Sequence, residues 1–295
     1  MPTLIPIKYH NRNYPADIQA DIYELPCHMD VVSIRRTPFY SLHTEYSSAK
    51  RNLDSSIIQK FPALQAENLN GVPKLWSNES CAEQFAEFIK TLIGDHRPPL
   101  IIEIHPPFRD YCPTVEQFCN VYGLFEARIA SIYPETQILI ENRFGTRYRM
   151  GKFLISSYLD VIELTRHLES TKLRLGIVLD LPQIISQQGD MPRLTKDTLE
   201  NIFAGLTGIR HRIKSLHLWG KRRGEKGQFA VHVGNLDTYF EGKDELKKIF
   251  LQGLYHLFND EMPRYFVPEV NSGDQDVASI ISDLIAVGFR FQKGI

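Results

Sequence analysis

From residue 99 onward, short apolar runs alternate with longer stretches of helical periodicity, the pattern that builds βα units on a parallel sheet. The strands it predicts are Leu100 to His105, Gln137 to Glu141, Leu173 to Asp180, Ile213 to His217 and Tyr265 to Glu269, with Phe289 to Phe291 as a last short one. They are apolar almost throughout, as suits strands covered on both faces. Helices are expected at Thr114 to Ile132, Phe153 to Glu169, Thr195 to Arg210, Lys243 to Phe258 and Asp274 to Val287, with Thr114 and Thr195 as polar caps. Upstream, Leu4 to Tyr9 is one further strand, and Val31 to His43, split by Pro38, contains another.

Eight such strands make a (β/α)8 TIM barrel, an α/β fold expected here as a single domain over residues 1–295, with the usual final helix missing or supplied elsewhere. The rival, an open doubly wound sheet, calls for a Gly-rich phosphate loop, and neither GxGxxG nor GxxxxGK[ST] occurs. Composition agrees with an ordinary globular chain: 43% hydrophobic, 23% charged, net charge −1. Such a balance argues against a general nucleic-acid surface without excluding a polyanionic partner. Four scattered cysteines without a CxxC pair argue against a zinc ribbon or disulfide scaffold and fit a reducing cytoplasm. No apolar run reaches the roughly 18 to 20 residues that span a bilayer, so no membrane role is expected.

The strand ends carry the chemistry. His105, Glu141, Asp180, His217 and Glu269 each close a predicted strand, about one βα repeat apart except for a longer last gap. Parallel barrel strands deliver their C-terminal ends to one face, so these residues are expected to converge. Glu141, Asp180, His217 and Glu269 offer three carboxylates and an imidazole, a mixed O/N set that suits Mn²⁺ or Mg²⁺ and accepts Zn²⁺ or Co²⁺. Glu103 shares strand parity with His105 and is read as a core hydrogen-bonding group. Trp219 could wall a pocket or simply pack in the core.

A second constellation is basic. Arg143, Arg147, Arg149 and Lys152 follow the strand ending at Glu141, and Lys221, Arg222, Arg223 and Lys226 follow the strand ending at His217. Arginine there suits phosphate or carboxylate, because its planar fork pairs bidentately, and Arg143, Arg147 and Arg222 are the anion-binding candidates. The alternative is a solvated, Gly-rich loop. No GxSxG elbow or Cys/His signature supports covalent nucleophilic catalysis.

In order and spacing, Glu141 in IENR, Asp180 in LDLPQ, His217 in LHLWG and Glu269 in PEV resemble the Glu, Asp, His, Glu metal quartet of the xylose isomerase-like TIM barrels. That superfamily includes sugar isomerases and epimerases and the endonuclease IV type of abasic-site nuclease (AP endonuclease family 2). The resemblance covers roughly residues 39 to 275. His43 in SLHTEY and His105 in EIHPP resemble the histidines of the nuclease branch's second and third strands, and His232 in AVHVGNLD the one after its sixth. Each could instead be a buried histidine bonded to a backbone carbonyl. Two departures stand out: Gln183 and Ala230 occupy positions where the nuclease branch has a histidine and an aspartate. Two ligands of a three-zinc site are thereby lost, so one divalent ion is expected, two at most.

The resemblance therefore implies a metal-dependent isomerase or epimerase of a sugar-like or polyol, optionally anionic, small-molecule substrate, with Glu141 and Glu269 as acid/base groups. His43, His105, Gln183 and His232 are further candidates for metal or substrate contact. The alternatives are an endonuclease IV-like phosphodiesterase acting on damaged DNA and a barrel that binds without turnover.

Overall fold

A computed structural model describes residues 1–47, 54–66, 68–69, 71–144, 152–187, 193–224 and 227–294. Eight parallel strands succeed one another in chain order: β1 (Thr3–Lys8), β2 (Ile22–Cys27), β3 (Tyr40–Thr44), β4 (Ile101–Ile104), β5 (Gln137–Glu141), β6 (Gly176–Asp180), β7 (Ile213–Leu218) and β8 (Arg264–Pro268). β8 pairs back onto β1, which closes the sheet into a TIM barrel. The chain divides into two compact units, residues 24–177 and residues 1–23 with 178–295.

Counting strands from the sequence goes wrong at both ends. The second strand is Ile22–Cys27, which lies outside the expected Val31 to His43 window. Its Pro26, exposed mid-strand, and its buried Glu24 break the apolar pattern by which a central strand is recognised. His43 therefore lies on the third strand and His105 just past the fourth. At the far end, the residues Arg290–Phe291 do pair in parallel, but onto β1 at Thr3 and Leu4, beside the ring. The eighth place belongs to β8, and a helix at Asp274–Ala286 follows it, so the barrel keeps its final helix.

Within residues 24–177, β3 and β4 pair with His43 opposite Glu103, and β4 and β5 with Ile104 opposite Ile140. Helix α1 (Glu79–Ile93) starts at Asn78, whose side chain accepts from the Cys81 amide. Its buried residues Cys81, Phe85, Phe88, Ile89 and Leu92 recur at helical spacing. Helix α2 (Val115–Ile132) is capped by Thr114 as expected and packs on α1. Trp76 sits among Phe85, Phe118, Tyr122 and Phe125, at centroid distances of 5.8, 5.7, 6.1 and 5.2 Å, mostly edge to face. Such aromatic pairs add about 0.5 to 1.5 kcal/mol each beyond area burial. Trp76 adopts φ +65° and donates its indole N–H to the carbonyl of His105 at 2.7 Å, which ties the end of β4 to this cluster. Helix α3 (Tyr158–Thr171) opens on a capping box between Ser157 and Asp160.

In the other unit, β7 and β8 pair over Tyr265 to Pro268, and β8 and β1 pair in register at Leu4 opposite Arg264. Helix α4 (Leu181–Gln187) begins directly after β6. Helices α5 (Lys196–Thr207), α6 (Asp244–Phe258) and α7 (Asp274–Ala286) follow β6, β7 and β8, and α5 packs on α6. Gly253 is required there, since a Cβ would stand 2.2 Å from the Phe203 ring. No helix forms in the connections 9–21 and 28–39. Among the described residues, no helix is long and apolar enough to cross a membrane.

Candidate metal centre

The β4 run ILE-rich enough to be buried throughout ends by delivering two polar side chains inward, Glu103 at 2% exposure and His105 at 0%. His43 from β3, Glu103, His105 and Glu141 from β5 form one group whose ligand atoms all lie within 4.8 Å of one another. The in-register pairing of His43 with Glu103 explains why they meet. His105 Nδ1 lies 3.2 Å from the carbonyl of Glu45, and Nε2 lies 2.9 Å from Glu141 Oε2. A carbonyl only accepts, so Nδ1 carries the hydrogen, and Nε2 faces a carboxylate oxygen at hydrogen-bond distance. A proton, or in its place a cation, lies between the two.

Burial, partly offset by the Glu141 hydrogen bond, pushes His105 down to about 4, the direction that favours the neutral ring a metal ligand must be. For His43 burial also works downward, yet Glu24 at 3.4 Å and Glu103 at 3.5 Å outweigh it and raise it to about 9. This donor set, buried and of mixed nitrogen and oxygen, fits a divalent ion. Arg143, just past β5, reaches Glu141 Oε2 at 3.3 Å and lies over the Tyr46 ring at 5.1 Å.

Residues 178–295 carry the remaining strand-end groups. Asp180 is fully buried: its Oδ1 accepts the Gln183 amide, and its Oδ2 accepts Gln183 Nε2 and Trp219 Nε1, each at 2.9 Å. The chain enters α4 at this point, so the Asp180 carboxylate meets amide donors of the first turn. His217 Nδ1 stands 3.4 Å from Glu269 Oε1. His232, at φ +58°, has Nδ1 3.1 Å from the Glu269 carbonyl and its ring 4.6 Å from Trp219. His105 and His232 thus each spend one nitrogen on a backbone carbonyl, the role weighed for a core histidine, while the carbonyl fixes which nitrogen carries hydrogen.

The basic segments divide. Arg147, Arg149 and Lys226 lie outside the described residues. The segment after β7 is a hairpin rather than a loop, with Lys221–Arg223 antiparallel to Phe229–Val231 and Arg222 opposite Ala230. Lys221 is buried with its ammonium 4.7 Å from the Phe229 ring and 4.6 Å from Tyr239. Arg222 is exposed, 3.7 Å from Asp276, and Arg223 pairs with Glu241 at 3.1 Å.

Sequence reasoning missed Glu24, Glu45, Tyr46 and Trp76. Glu24 sits on the strand that escaped recognition, and Trp76 has no periodic neighbours, so neither gave a signal. Glu103 was placed in the core; it is buried there, but beside His43.

No family profile matches the chain, and no curated protein does. Solved structures do. One is the crystal structure of AsfvAP:AG, at 14% identity and TM-score 0.49, covering 85% of each chain. A second is a xylose isomerase domain protein from Alicyclobacillus acidocaldarius subsp. acidocaldarius, at 12% identity and TM-score 0.47, covering 97% of this chain and 99% of that one. A third is D-psicose 3-epimerase with D-tagatose from Clostridium cellulolyticum H10, at 12% and 0.42, covering 96% and 89%.

Proposed function

We propose that this protein is a divalent-metal-dependent isomerase or epimerase of a sugar-like or polyol substrate, with one ion held by the strand-end groups Glu141, Asp180, His217 and Glu269. The observation that carries metal dependence is the buried His43, Glu103, His105 and Glu141 group, whose ligand atoms all lie within 4.8 Å of one another and which shares Glu141 with that quartet. A bound ion would supply Lewis acidity toward a substrate carbonyl and hydroxyl. Glu141 and Glu269 move the proton between adjacent carbons, one as base and the other as acid. His105 orients Glu141, and His232 and His217 flank the Glu269 carboxyl group. Arg143, beside Glu141, binds an anionic group on the substrate.

The second reading, phosphodiester hydrolysis on damaged DNA, needs several ions around the leaving oxygen. Two positions speak against it: the Gln183 amide donates to Asp180, and Ala230 is exposed on the hairpin with no ligand to offer. The test is proton exchange in D₂O over a panel of sugars, polyols and their phosphates with Mn²⁺, Mg²⁺, Zn²⁺ or Co²⁺ present. Exchange that Glu269→Gln abolishes supports the proposal. Robust metal-dependent incision at abasic sites replaces it with the nuclease reading, and neither activity leaves a barrel that binds without turnover.

A further inference from the structure

Glu24 has no part in the proposed chemistry, and His43 and Glu103, which belong to the buried donor group above, lie outside its ligand quartet. They come from three successive strands, β2, β3 and β4, all within residues 24–177. Glu24 is 7% exposed and Glu103 2%. His43 Nδ1 faces both carboxylates, at 3.4 Å from Glu24 Oε1 and 3.5 Å from Glu103 Oε1, without hydrogen-bond geometry to either. Glu24 Oε2 is likewise buried with no hydrogen-bond partner among the described residues. Buried polar atoms are rarely left so, and an ion is one of the standard explanations.

The geometry points to a second divalent-cation site, held by Glu24, His43 Nδ1 and Glu103. Donors at about 2.1 Å from a common centre in tetrahedral array stand about 3.4 Å apart, close to the separation of His43 Nδ1 from each of the two carboxylates. Hydrogen-bonded pairs would close to about 2.7 to 2.9 Å. Charge balance points the same way. Two buried carboxylates facing one imidazole carry an excess negative charge even when the ring is protonated, whereas a divalent ion with a neutral ring brings the set to zero. One imidazole nitrogen and two carboxylate oxygens suit Zn²⁺, Co²⁺, Mn²⁺ or Fe²⁺. An ion there cross-links β2, β3 and β4 and fixes the wall from which His105 projects.

The inference does not depend on the isomerase reading, and its test is kept apart from activity. The apoprotein is titrated with Co²⁺, following visible absorption and metal content after desalting, for wild type, Glu24→Gln, Glu24→Ala and Glu269→Gln. The Glu24 variants are expected to bind one equivalent fewer than wild type and to lose the absorption of one cobalt centre. Glu269→Gln should keep that centre, so loss of catalysis and loss of this site are separable. Equal stoichiometry and unchanged spectra in folded Glu24 variants overturn the inference. If those variants fail to fold, an anomalous difference map of Co²⁺-soaked wild-type crystals decides. A peak about 2.0 to 2.3 Å from the three side chains supports the site, and no peak there overturns it.

Discussion

The indole N–H of Trp219 donates to Asp180 Oδ2 at 2.9 Å, on the same oxygen that receives the Gln183 side-chain amide. Three N–H donors in all converge on a carboxylate with no exposed surface. Trp219→Phe keeps most of the ring and removes one donor. It should cost about 1 to 3 kcal/mol of stability, since a buried acceptor loses its partner, read as a lower urea midpoint at unchanged slope. If Asp180 is a metal ligand, the same change should weaken metal binding by about 10- to 100-fold, because groups that orient a ligand matter nearly as much as the ligand. Unchanged affinity would remove Asp180 from the ligand set.

Metal removal should be visible in stability as well as in chemistry. An ion that binds only the folded chain adds about 2.7 kcal/mol at a hundredfold excess over its Kd. EDTA should therefore lower Tm by several degrees, and less so in Glu141→Gln, whose strand-end carboxylate is gone. Scanning fluorimetry with and without chelator checks this. A Tm indifferent to EDTA, Mn²⁺ and Zn²⁺ would contradict the metal proposal.

The five strand-end residues were legible because apolar runs mark the strands that carry them, and each lies at, or one residue from, the end of such a strand. Helices such as Val115–Ile132 were legible from their caps, Thr114 accepting from the Gln117 amide at 3.1 Å. What the sequence hides is pairing. Nothing local says that Glu103 stands opposite His43, since that follows from the β3 and β4 register. Nor does a stretch reading IYELPC announce a barrel strand when its charge is buried and its proline exposed. Trp76 shows the same limit: its indole reaches a carbonyl 29 residues away in sequence.

Arg264 tests the opposite pole of the same strand. It is 1% exposed and gives its guanidinium hydrogens to both Asp260 oxygens and to the carbonyls of Arg210, Ile213 and Met262. Arg264→Met should cost about 3 to 5 kcal/mol, because three carbonyls and a carboxylate lose their donors together. For Asp260, burial works upward, but the Arg264 hydrogen bond and charge prevail and hold its carboxyl below the usual range. A depressed folded-state value means the contribution is present above the unfolded carboxylate range and lost as pH falls through the folded one. Acid unfolding should accordingly begin at higher pH in Asp260→Asn.

Gly220, between Trp219 and Lys221, is confined by backbone. A Cβ there would stand 2.3 Å from the Gly234 carbonyl carbon and 2.4 Å from the Asn235 nitrogen, which cannot move aside as a side chain could. The Val233 amide also donates to the Gly220 carbonyl at 3.0 Å. Gly220→Ala should cost about 1 to 3 kcal/mol by overpacking and disturb His232, next to Val233. Chemical denaturation measures the first effect, and the histidine NMR signals of His232 report the second.

The two arginines still in view after β5 and β7 should behave differently toward anions. Arg143 is largely buried, lies over Tyr46 and touches Glu141, so its guanidinium is partly ordered and partly desolvated before any ligand arrives. Arg222 has half its side chain in water and stands 3.7 Å from Asp276, where screening leaves little. Arg143→Ala should weaken inorganic phosphate or a sugar phosphate by about 1 to 3 kcal/mol, roughly five- to a hundredfold, the cost of losing a charged hydrogen bond. Arg222→Ala should change the same affinity less than threefold. Isothermal titration of the metal-loaded protein separates them, with metal content measured in parallel because Arg143 also contacts a proposed ligand. If both variants bind as wild type does, neither arginine serves an anion; if Arg222→Ala is the weaker binder, the hairpin and not the β5 end receives the charge.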